Sequence, residues 1–170
     1  MRRVARSLFV LVLAVGAAVG VGNGPATAAL PGYVCGTLSG GSTTVHSQVT
    51  DVRVGRHANF DRFVVEFNTH RLPHYRITPK SNTTFALDPS GRSVTLLGSA
   101  GQRLVLHTAT GVGTYRGPAD FRTGFPQLLE ARRLGDFEGY VTWGLGLDHQ
   151  SCKRVFKLTN PTRLVIDVPH

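Results

Sequence analysis

Acids that could share a proton cluster at one place in the chain, RLGDFEGYVTWGLGLD at 133–148. Asp136 and Glu138 stand two residues apart, Asp148 follows, and Trp143, the single tryptophan, lies between them. Paired carboxylates beside an aromatic ring are the equipment of glycoside hydrolysis, which needs one shielded acid and a second carboxylate roughly 5–10 Å away across a cleft. The same residue types suit sugar recognition without catalysis. Rings stack on sugar faces, acids accept hydroxyl hydrogen bonds, and a guanidinium such as that of Arg133 pairs with carboxylates. They also suit a structural role, because acids in a tight turn such as GDFEG commonly accept backbone N–H groups or stay solvated. Beyond this turn Trp143, Leu145 and Leu147 alternate with Gly144 and Gly146. One strand face is therefore large and the other bare, ready for a closely packed layer or for a sugar ring. The candidate ligand-binding residues are Arg133, Asp136, Glu138, Tyr140, Trp143 and Asp148. No catalytic residue is assigned, and hydrolysis by Asp136 and Glu138 is the rival reading.

Other chemistry finds little support. The segments GGS at 40–42 and GSAG at 98–101 read as turns and not as a nucleophile elbow. His70 and His74 have zinc-like spacing, but Pro73 between them breaks the helix that would align them. No phosphate loop, EF-hand loop or dinucleotide fingerprint occurs, so no cofactor and no metal are expected. His149 and Cys152 resemble half a zinc site without its second half. In a secreted chain the two cysteines, Cys35 and Cys152, would instead form a disulfide. Closing a loop of that length contributes roughly 4–5 kcal/mol in the chain-entropy picture.

Secretion is itself read from residues 1–28. Arg2, Arg3 and Arg6 precede an apolar run from Ser7 to Gly22, and Ala26 and Ala28 form an A-x-A cleavage signal before Ala29. The run is shorter than the roughly 20 apolar residues of a membrane span, so no stable span is expected after cleavage. Three of the 19 Lys and Arg lie in this segment, and the remaining sixteen outnumber ten Asp and Glu by six. A basic surplus on an exported protein points to an anionic envelope polymer or to no particular partner, and not to nucleic acid.

The remaining residues suffice for one domain. Residues 29–47 are rich in Gly, Ser and Thr and read as an extended arm held by Cys35, with the domain proper at 48–170. Val49, Val52 and Val54 open a first strand, and Asn59 is the expected left-handed residue of the turn that follows. Further strands are expected at RFVVEF (62–67), 74–78, 93–97, 103–108, 128–134, 140–147, 155–158 and 163–168. QLLEARRL at 127–134 could form a helix, but eight uncapped residues favour a strand. Short strands at regular intervals argue for an all-β sandwich. RFVVEF and RLVIDV (163–168) share one pattern of Arg, apolar residues and acid, which suggests equivalent places in two related sheets.

Three blocks carry a family resemblance: VTDVRVGRHANFDRFVVEF at 49–67, RRLGDFEGYVTWGLGLD at 132–148 and RVFKLTNPTRLVIDV at 154–168. Together they resemble the AMIN-like domain of secreted actinobacterial proteins, a relative of the AMIN domain. The resemblance implies a β-sandwich of two small sheets. It also implies a targeting module that recognises cell-wall glycan, peptidoglycan above all, or an anionic wall polymer. AMIN domains accompany wall amidases without being the amidase, so binding without hydrolysis is implied. A protein–protein interaction module is the other non-enzymatic reading.

Overall fold

The computed structural model describes residues 29–170, all in strands, turns and loops. The expected signal peptide at 1–28 lies outside the described residues. The strands are β1 (Leu38–Gly40), β2 (Ser47–Arg56), β3 (Phe60–Phe67), β4 (His74–Lys80), β5 (Thr84–Ala86), β6 (Ser93–Thr95) and β7 (Ala100–His107). After them come β8 (Ala109–Thr110), β9 (Asp120–Arg122), β10 (Leu128–Phe137), β11 (Tyr140–Leu147), β12 (Arg154–Leu158) and β13 (Thr162–Pro169). A six-stranded sheet runs β1-β4-β7-β11-β10-β9, a five-stranded sheet runs β12-β13-β3-β2-β8, and β5 and β6 form a separate hairpin. The fold is an all-β sandwich. QLLEARRL lies almost wholly in β10, with Gln127 just before it.

Period-two alternation builds the core. Phe63, Val65 and Phe67 from β3 and Leu164, Ile166 and Val168 from β13 meet Ile77, Leu104, Leu106, Val141, Trp143, Leu145 and Leu147 from the other sheet. A second, smaller core lies on the opposite side of the six-stranded sheet. There Phe85 and Leu96 from the β5–β6 region pack on Leu134 and over the glycines of β11. A methyl group at Gly146 would come within 2.2 Å of the Leu97 carbonyl oxygen, so bare backbone is what lets this layer approach. Of the two uses open to the Gly144 and Gly146 face, the close-packed layer is the one realised.

Cys35 and Cys152 form a disulfide, so Cys152 is not half of a zinc site. The segment 29–47 contains β1, which pairs with β4, and Val34 bridges Lys153. Lys153 is fully buried beneath this segment and donates from Nζ to the Gly36 carbonyl at 2.5 Å; burial lowers its pKa.

Two expectations are corrected. RFVVEF and RLVIDV do not occupy equivalent places in two sheets; β3 and β13 are antiparallel neighbours in one sheet. The shared pattern is self-complementary in that arrangement, since antiparallel register sets Arg62 opposite Asp167 and Arg163 opposite Glu66. Asp167 is consequently buried and paired locally: it accepts from Arg62 and Arg154. Asn59 is not left-handed either. The turn at 57–59 closes through the His57 N–H to the Phe60 carbonyl, and positive φ among non-glycine residues falls on Thr108, Glu138 and Asn160.

Candidate functional site

The β10–β11 hairpin closes through two residues, Glu138 and Gly139, with φ of 49° and 78°. Positive φ at both positions is the conformation that matches strand twist, and it sets Phe137 directly opposite Tyr140. Asp136 braces the turn from behind. Its two oxygens accept from the Thr110 hydroxyl at 3.0 Å and the Gly111 N–H at 2.8 Å, while the Gly139 carbonyl accepts the Ala109 N–H at 3.0 Å. Glu138 is exposed at the tip. The two acids therefore do different things: one holds a loop and the other meets solvent.

Register carries the surface across the sheet. Tyr140 stands opposite His107 on β7, and His107 stands opposite His74 on β4. Phe137, Tyr140, His107 and His74 thus form one row over four adjacent strands, spanning roughly 14 Å at the usual strand spacing. The Tyr140 and His107 rings stack at 4.6 Å, and the His107 and His74 rings meet edge-on at 6.5 Å. Phe137 and Tyr140 are 49% and 46% exposed, among the few large hydrophobic side chains left in solvent. The Phe85 and Leu96 layer packs over Gly144, and the Asp88–Pro89 loop borders the Phe137 and Tyr140 end without burying either ring.

Recesses flank it. An open cleft of about 800 Å³ is lined by His46, Gln48, Asn68, His107, Thr110 and Glu138, among others. A smaller one of about 290 Å³, on the other side of Glu138, is bounded by Phe137, Tyr140, Thr142 and the Arg103–Asp88 ion pair. Thr108 lies in the wall of the larger cleft with φ of 59°, a costly conformation for a β-branched residue. It stands where the chain leaves β7 for β8 in the other sheet, and its hydroxyl donates to the Val45 carbonyl at 2.6 Å. Such a wall offers donors, acceptors and a ring surface together, the composition of a site for a polar ligand with flat faces.

The six residues chosen from sequence do not form one patch. Glu138 and Tyr140 lie at the row. Trp143 is fully buried, with its ring centroid 5.4 Å from Phe63, 6.1 Å from Phe121 and 6.3 Å from Tyr115. Arg133 and Asp136 line a separate recess, where the Arg133 guanidinium stands 5.8 Å from the Tyr115 ring centre. Burial, with the charge of Asp51 adding and that of Arg133 opposing, pushes the Tyr115 hydroxyl up to about 12. Asp148 is exposed just past the far end of β11, roughly 25 Å of strand from Tyr140, with its carboxylate 3.2 Å from His149 Nδ1. His74, His107 and Phe137 were missed. The one available signal was FEGY itself, a two-residue turn whose flanking rings must face each other. Among the described residues no cluster of three or more His, Cys, Asp or Glu could hold a metal.

Two packed sheets, antiparallel except where β2 pairs with β8, and a partly exposed ring row at one end define a small all-β sandwich module. The chain belongs to the AMIN-like domain family, whose model matches residues 47–170. No curated protein and no solved structure matches it.

Proposed function

We propose that this protein is a secreted, non-catalytic module of the cell envelope that binds wall glycan, peptidoglycan or another anionic wall polymer. The row of Phe137, Tyr140, His107 and His74 carries the reading. Phe137 and Tyr140 remain about half exposed beside the half-buried His107 and His74, which they pack with only at the surface, and the spacing of the row suits successive sugar rings of an extended chain. Glu138, Gln48 and Asn68 supply acceptors and donors for hydroxyl groups in the adjoining cleft. Family membership, the Cys35–Cys152 disulfide and the basic surplus agree with an envelope location after removal of residues 1–28. Hydrolysis by Asp136 and Glu138 is disfavoured because both Asp136 oxygens are engaged in holding the 110–111 backbone.

Co-sedimentation of the mature protein with purified peptidoglycan, in low salt and at 0.5 M-scale salt where exposed charges are largely screened, tests this. Saturable, salt-resistant binding that Tyr140→Ala and His107→Ala each weaken about tenfold supports the reading. Binding that disappears with salt, or capture of a secreted protein without any wall binding, contradicts it. Release of sugars or peptides by the wild type but not by Asp136→Ala would make it an enzyme.

A further inference from the structure

The outer face of the five-stranded sheet, remote from the ring row, holds a second polar construction. Buried Asp167 accepts from Arg62 through Nε at 2.6 Å and NH2 at 3.0 Å, and from Arg154 through Nε at 3.0 Å and NH2 at 2.7 Å. Aromatic rings fix these guanidiniums from their faces: Phe60 at 5.1 Å from both, Phe156 at 5.3 Å from Arg62 and Tyr33 at 4.9 Å from Arg154. On β2, Arg53 is held in the same manner by Glu66 at 2.6 Å and Asp51 at 3.1 Å. Both Arg53 and Arg62 are thereby oriented while NH1 of each is left without a carboxylate partner.

Between them lies a groove of about 240 Å³ lined by Arg53, Arg62, Arg163, Val64, Val165 and Leu158, with Val54 and Gly55 completing it. Three arginines and no acidic residue line it; the acids that orient Arg53 and Arg62 lie outside the lining. Arg163 has no acidic partner among the described residues, since its only hydrogen bond runs from Nε to the Pro161 carbonyl at 3.3 Å. Gly55 keeps the space open, as a methyl group there would meet nothing closer than 3.9 Å. Across this face four arginines, Arg53, Arg62, Arg154 and Arg163, meet three acids, Asp51, Glu66 and Asp167, which leaves one positive charge. Arg62 and Arg154 share one carboxylate, Arg53 is held by two, and Arg163 has none among the described residues.

We propose that this groove is a binding site for a singly charged phosphodiester oxyanion. Planar guanidinium forks match the geometry of a phosphate group, and pre-oriented forks lose little freedom on binding it. Arg163, the lining arginine without a carboxylate partner among the described residues, supplies an uncompensated guanidinium to the oxyanion. The apolar side chains of Val64 and Leu158 face the carbon substituents on either side, and the volume admits one such group and not a run of sugars. None of the large exposed hydrophobic side chains borders the groove, so nothing there would enter a bilayer. The phosphodiester is therefore one in a water-exposed polymer and not one in a lipid headgroup. This site shares no residue with the ring row, and either can fail without the other.

Titration of the folded mature protein with dimethyl phosphate, read through the arginine Nε–H resonances in a nitrogen-15 spectrum, tests the assignment. Saturable shifts confined to Arg53, Arg62 and Arg163 are expected. Arg163→Gln should weaken binding about tenfold, the effect of losing one charge-assisted contact, while Tyr140→Ala leaves it unchanged. Arg163→Lys should restore only part of it, because an ammonium keeps the charge without the fork. Equal shifts at Arg76, Arg92 and Arg122, or an unchanged isotherm for a folded Arg163→Gln variant, would overturn the site. Vesicles of phosphatidylglycerol and phosphatidylcholine separate the sources. No pelleting with them is expected, and pelleting that Arg163→Gln abolishes would overturn assignment to a soluble polymer.

Discussion

The outer faces of the two sheets both carry rings, and they use them differently. On the five-stranded sheet Phe60, Phe156 and Tyr33 are layered with Arg62 and Arg154, whose guanidiniums close on buried Asp167. On the six-stranded sheet one half is sealed by Phe85 and Leu96 over glycine, and the other half leaves Phe137 and Tyr140 exposed beside the half-buried His107 and His74. Where rings have partners they stabilise the fold. Where rings touch only one another at the surface, their exposed faces can still contact something outside the chain.

Substitutions should separate these regions by size of effect. Trp143 belongs to neither outer face, and Trp143→Ala should cost about 3–5 kcal/mol in urea unfolding, the reference for a core position. On the closed face Asp167→Ala leaves two guanidiniums without their carboxylate and should cost about 3 kcal/mol; a loss under about 1 kcal/mol would show that this face is as loose as the other. On the sealed half Gly146→Ala meets backbone and should cost about 1–3 kcal/mol. Gly144→Ala meets only the movable ends of Leu134, Leu96 and Phe85 at 3.3 Å and should cost less than Gly146→Ala. On the open half Tyr140→Ala should change stability by no more than about 0.5 kcal/mol, as at other exposed positions.

Alkaline titration sharpens the contrast between inner and outer rings. Tyr115 has its hydroxyl pushed to about 12 from an unfolded value of 10.0. Its neutral form is therefore favoured in the native state, and its contribution to stability is complete below pH 10 and declines as pH rises through 12. Absorbance of ionised tyrosine should show a late-titrating component that Tyr115→Phe removes. Absence of that component would show that Tyr115 is more solvated than its packing indicates.

Much of the fold was legible because alternation is a local property. RFVVEF, YVTWGLGL and RLVIDV each show their buried face without reference to any neighbour. The short strands β1, β5, β8 and β9, of two or three residues, are too brief to show a period and exist only through their partners. Pairing was likewise invisible. The likeness between RFVVEF and RLVIDV was visible, but whether it meant repetition or complementarity depended on the register that joins Arg62 to Asp167. At the candidate site Glu138 and Tyr140 could be chosen from sequence, whereas His107 and His74 join them only because three separate strands align. Trp143 was attractive for its chemistry, and its strand parity with Val141, Leu145 and Leu147 places it inside.

The central claim is that the open ring row binds wall glycan. Its most direct test is the isotherm of Tyr140→Ala against wild type on purified peptidoglycan at screening salt, with unfolding midpoints measured on the same samples. The account predicts an unchanged midpoint and affinity lower by about tenfold, the effect of removing one aromatic anchor. Equal affinity for a folded Tyr140→Ala variant would contradict it.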